Sequence, residues 1–210
     1  MKKIRFIKIL MWLVFLIITN YKCLSQNQND VNDSLIKQFG SNKTFISAFN
    51  FQIYKALAHY PELRNTKIVF KYKSIKTSLA CRPSLMSIFL RKNKRSYNIF
   101  INADTSKLKN AILAFVPIKG QIGVIGHELG HIIDYQRKTI FGIVGTGFGY
   151  LFSRYKSGLE KRVDVIAINH GFKNELIEFS NYIINESDAP VEYKNYKRKI
   201  YYSQIDLEKL

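Results

Sequence analysis

Ile122, Ile125, Leu129, Ile132 and Ile133, with Ile118 just ahead of them, recur at helical spacing, and His127, Glu128 and His131 are set into the same run. A chain with this stretch must build a helix over about Gly120 to Gln136 that packs on one side and presents two imidazoles and a carboxylate on another. Residues four apart stand one above the other on a helix, so His127 and His131 can aim ring nitrogens at one point. Glu128 lies about 100° round the helix from His127, beside that point and not on it. Histidines and a carboxylate at this H-E-x-x-H spacing can hold a zinc ion, with the glutamate as general base toward a water. The segment predicts a metal-dependent hydrolase.

The first 25 residues read as a leader. Lys2, Lys3, Arg5 and Lys8 precede the uncharged apolar run Ile9 to Ile18, which has signal-peptide length and is short for a membrane span. Cys23 and Ser25 suit the −3 and −1 positions of a cleavage before Gln26, so export to the periplasm, cell surface or medium is expected. An uncleaved anchor is the alternative, and lipidation of Cys23 is disfavoured by Lys22 and Asn20 beside it. Past the leader Cys81 stands alone, which excludes an intrachain disulfide and a cysteine zinc site. Of the formal charge of +18, five units belong to the leader, leaving +13 on the residues after 25. Such a balance draws a protein toward polyanions without specificity. Export makes a specific nucleic-acid partner unexpected and an anionic surface or membrane more plausible, through the clusters Arg91–Arg95 and Lys194–Lys199.

One domain over 41–190 is expected, after a polar linker at 26–40 and before a basic, tyrosine-rich tail at 191–210. Thr44 to Tyr60 carries apolar residues at helical spacing and stops at Pro61, with His59 in a capping or surface role. Ile68 to Tyr72 and Tyr97 to Ile101 alternate as strands do, and Ser84 to Leu90 is a third strand candidate, joined to the latter as a hairpin. Thr139 to Phe152 is apolar and contains four glycines. It reads as a flexible crossover, the alternative being a membrane-touching or lid segment. Helices are predicted over Gly158 to His170 and Lys173 to Ile184.

Catalytic zinc takes three protein ligands and keeps a position open. The candidates for the third are Asp134, a ligand beyond a chain turn, and Glu160. The metzincin pattern HExxHxxGxxH is absent, because Asp134 takes the glycine position and Arg137 the ligand position, and no methionine follows Met86 for a Met-turn. On an unbroken helix Asp134 is better placed to bond a histidine or Arg137 than to ligate.

Glu160 and Asp164 stand four apart on one helical face. The strings HELGH at 127–131 and EKRVD at 160–164 resemble the gluzincins, zinc metallopeptidases with HExxH on one helix and ExxxD on the next. That resemblance implies Glu160 as third zinc ligand and Asp164 as acceptor of a ligand histidine's other ring N–H. It also implies an α+β, zincin-like fold: a small mixed sheet packed on the motif helix, with further helices after it, and a peptide or protein as substrate. His170 is the candidate by type for stabilising the transition state. The reading from another class is a basic envelope- or surface-binding protein whose zinc site is structural or inactive.

Overall fold

The computed structural model describes residues 34–210, so the expected leader and its cleavage site lie outside the described residues. Residues 34–39 form a short helix, α1, where the end of a linker was expected. Phe39 is buried in the core with the Arg64 guanidinium over its ring, which pins the segment down. The chain then runs through β1 (Lys43–Thr44), α2 (Asn50–Ala58), β2 (Lys67–Tyr72), β3 (Leu79–Pro83), β4 (Ser96–Ile101) and the single turn α3 (Thr105–Leu108). After these come α4 (Ile118–Arg137), α5 (Ile140–Gly149), α6 (Ser153–Asn169), α7 (Lys173–Asn181), α8 (Val191–Ile200) and α9 (Gln204–Lys209). The fold is α+β, with mostly helices around one small mixed sheet.

The four strands are ordered β1-β2-β4-β3. β1, β2 and β4 run parallel, and β3 is antiparallel to β4 at the edge. Alternation puts Ile68, Phe70, Leu79, Cys81, Tyr97, Ile99 and Ile101 in the core, where the sheet meets α4. Two sequence expectations shift here. Thr44 pairs with Val69 in β1, so the predicted helix starts later, as a 3-10 turn at Ser47–Phe49 leading into α2. The partner of β4 is Leu79–Pro83 and not Ser84 to Leu90. The latter folds as a 3-10 turn over Leu85–Phe89 after Pro83, a residue that an edge strand tolerates because it needs no donated N–H there.

Helix α4 is the central element. Ile125, Leu129 and Ile132 are fully buried in the core, while Gly120, Gly123 and Gly126 form a stripe beneath α7 and the Phe172 just before it. A Cβ on Gly123 would fall 2.4 Å from the carbonyl carbon of Glu175, so only glycine lets the two backbones approach this closely. The Gly-rich run after α4 is helical. The Thr139 side chain caps α5 by accepting from Gly142 N at 3.2 Å, and Lys138 Nζ donates to Thr146 Oγ1 at 2.8 Å inside the second turn. These contacts offset the roughly 1 kcal/mol that each helical glycine forfeits. The tail is likewise ordered: Tyr193, Ile200 and Leu207 are buried, so the domain continues through α9. Among the described residues no helix is long and apolar enough to cross a membrane.

Candidate metal centre

Two packed helices bring the site together. α4 supplies His127, Glu128 and His131 from two successive turns, and α6 supplies Glu160 and Asp164 from one face. All five are buried. The Nε2 atoms of His127 and His131 converge on one oxygen, Glu160 Oε2, at 3.1 and 3.3 Å, and the imidazoles stand edge to face. The three potential ligand atoms lie within 4.8 Å of one another. On the far side of the His127 ring, Nδ1 lies 2.7 Å from Asp164 Oδ1. The second oxygen of Glu160 accepts from the Tyr150 hydroxyl at 3.0 Å.

The electrostatics follow from burial and crowding. Burial opposes a charge on His127, yet hydrogen bonds to and charges on Asp164 and Glu160 outweigh it and hold its pKa up at about 10. Burial likewise opposes ionisation of Glu160, but His131 and His127 prevail and keep it well below the usual carboxylate range. For Glu128 burial prevails over the two histidines and raises its pKa. Two imidazoles and three carboxylates buried together require compensating positive charge, which the proton on His127 or a bound cation supplies. Among the described residues Glu128 Oε2 and His131 Nδ1 have no hydrogen-bond partner. Unpaired buried polar atoms are rare, and a water or an ion is one partner that satisfies them. His127, His131 and Glu160 together form a group that could hold a metal ion.

Other sequence candidates fall elsewhere. His170 does not join the group: its Nε2 lies 2.9 Å from Glu62, its Nδ1 lies 2.7 Å from the Ile166 carbonyl, and its ring stacks on Tyr60. His170 follows Asp164 by six residues, about 240° round the axis of α6, so it falls on a different face and is carried away from the site. His59, at the end of α2, donates from Nδ1 to the His170 carbonyl, a capping role as expected. Asp134 bonds neither a histidine nor Arg137. It accepts from Arg162 Nε at 3.2 Å, and Lys138 Nζ lies 2.5 Å from its other oxygen, in an ion pair without hydrogen-bond alignment. It faces α6 and clamps that helix two residues from Glu160.

Three neighbours of the site escaped sequence reasoning. Tyr150 lies in the Gly-rich run, and Lys197 and Tyr201 belong to the tail. Burial first, then Glu160, raises the pKa of both phenols, so each stays a neutral hydroxyl. Lys197 and Tyr201 wall a space of about 30 Å³ together with His127, Glu128, Ser78 and Leu79, enough for a water or two. A larger apolar cavity of about 310 Å³ lies behind Tyr201, against Leu176, Phe179, Ile183 and Leu207. The one available signal was the density of tyrosine beside lysine at 193–202, which reads equally well as a solvated tail.

Compared with protein-family models, curated proteins and solved structures, the chain matches none.

Proposed function

We propose that the protein is an exported zinc-dependent peptidase of the gluzincin type, with a zincin-like arrangement of sheet and motif helix. One observation carries the reading: two imidazole nitrogens and one carboxylate oxygen converge, with the unpartnered, buried carboxylate of Glu128 beside them. Two nitrogens and an oxygen from three residues suit zinc at a catalytic site, where three protein ligands leave a position open. When bound, zinc would supply the Lewis acidity that polarises a carbonyl and makes water nucleophilic at neutral pH. Glu128 accepts the proton of the attacking water and returns it to the leaving amine. Asp164 holds the His127 ring with Nε2 toward the ligand point, and Tyr150 restrains Glu160 through its second oxygen.

The sheet supports a peptide as substrate. β3 is an edge strand, and Leu79 at its start borders the same small space as His127 and Glu128. An extended chain can add to such an edge by main-chain hydrogen bonds and lay a carbonyl over the metal position. A second reading is favoured by the walls. Lys197 and Tyr201 leave only about 30 Å³ open at the histidines, a closure that suits a structural zinc in a basic surface-binding protein.

Glu128→Gln separates the two. On the peptidase reading the variant keeps about one equivalent of zinc and loses cleavage of a peptide library that the parent digests. Zinc in both with cleavage in neither supports the structural reading, and a purified parent without zinc overturns both.

A further inference from the structure

The helix α5 is built the wrong way round for a surface helix. Its inward stripe, Ile143 and Thr146, is buried, and its outward face carries Phe141, 88 % exposed, and Phe148, 66 % exposed, with no charged residue in the element. Leu151 and Phe152 continue the face beyond its end and are also exposed. The 3-10 turn Leu85–Phe89 lies against α5 and adds Leu85, Met86 and Phe89, all exposed. The two pieces are tied together where α4 ends, Lys92 Nζ donating to the Arg137 carbonyl at 3.1 Å and Arg95 to that of Lys138 at 2.9 Å. Exposed apolar side chains gathered in one place mark an interaction surface.

The surrounding charge is of one sign. No acidic residue occurs between Glu62 and Asp104 or between Asp134 and Glu160, the two stretches that form this face. Exposed Arg91, Lys92, Lys94, Arg137 and Arg154 rim it. Large apolar side chains ringed by cations match the boundary of a membrane with anionic headgroups, where the side chains enter the acyl region and the cations meet phosphate. At ten residues α5 is about 15 Å long, half the roughly 30 Å of a hydrocarbon core, so it would lie in the plane of the surface and not span it.

We propose that α5, Leu151, Phe152 and the Leu85–Phe89 turn form a docking face for an anionic lipid bilayer. Tyr150, in the turn that ends α5, donates to Glu160, so docking places the candidate metal centre next to the membrane.

The test uses the full chain with its only tryptophan replaced, Trp12→Phe, and a new one introduced as Phe148→Trp or, for comparison, as Val191→Trp at the exposed first residue of α8. Vesicles contain equal parts phosphatidylglycerol and brominated phosphatidylcholine. The expected result is quenching and a blue shift at 148, little of either at 191, and loss of the effect with phosphatidylcholine alone. The triple reversal Arg91→Glu, Lys92→Glu and Lys94→Glu weakens binding at least about tenfold. No quenching at 148, equal quenching at both positions, or equal response to neutral vesicles overturns the proposal. So does a concentration-dependent blue shift at 148 without vesicles, which would assign the face to a second copy of the chain.

Discussion

Asp164 Oδ1 lies 2.7 Å from Nδ1 of His127, and this contact orients the imidazole so that Nε2 faces Glu160 on the same helix as Asp164. A single face of α6 thus supplies both a potential ligand and the group that aims another. Asp164→Ala should lower zinc affinity about 10–100-fold, as loss of such an orienting partner does. Competition against a chromophoric chelator measures it. Unchanged affinity would remove Asp164 from the site.

A zinc ion held as proposed by groups from α4 and α6 would stabilise the fold, since the unfolded chain has no such site. At free zinc about 100-fold above Kd the gain is about 2.7 kcal/mol. For a domain of this size that is about 5–10 °C in Tm. Calorimetry with zinc and with EDTA should show this difference in the parent and lose it in His131→Ala and Glu160→Ala. A shift that persists in both variants would place the ion elsewhere.

The glycines of α4 and α5 predict opposite signs. Gly123→Ala drives a methyl into the backbone of Glu175 and should destabilise by about 3 kcal/mol or prevent folding. Among the described residues nothing lies within 4 Å of a Cβ on Gly145, so Gly145→Ala should stabilise by about 0.5–1 kcal/mol through helix propensity alone. Urea unfolding reads both, and a neutral Gly123→Ala would contradict the close packing of α4 and α7.

Burial, with a smaller contribution from the charge of Glu128, pushes the Cys81 thiol well above its ordinary range. The thiolate is the reactive form. In a Cys23→Ser background the folded protein should therefore resist a thiol-specific disulfide reagent through pH 9, while the denatured chain reacts faster as pH rises through about 8.5. The sign for stability follows. Above about pH 8.5 the unfolded state binds fewer protons at this group than the folded state, so its contribution to stability declines with rising pH. Cys81→Ala should flatten that decline, and rapid labelling of the native protein at neutral pH would refute the burial.

How much was legible depended on how local the signal was. The helix around His127 and His131 and the strands at 67–72 and 96–101 appeared near their predicted positions, because periodicity of 3.6 or 2 reports a face that must be buried. The Leu85–Phe89 turn and α5 misled for other reasons. The turn's apolar residues point to solvent, and composition cannot tell an apolar face packed on a core from one left open, while four glycines made 139–152 read as a crossover although the Thr139 cap and Lys138 hold it helical. The tail was unreadable because Tyr201 meets the His127 ring through a contact 74 residues distant in the chain.

Spacing along the chain alone determined that His127 and His131 share one helix face and that Glu160 and Asp164 share another, since residues four apart coincide on any α-helix. Tertiary structure decided that the two faces meet, that His170 stays outside, that Tyr150 bonds Glu160, and that Lys197 and Tyr201 complete the walls. The reason is physical: helix geometry is set by neighbours in sequence, whereas the approach of α4 to α6 and α7 depends on packing between surfaces, down to the missing side chain of Gly123.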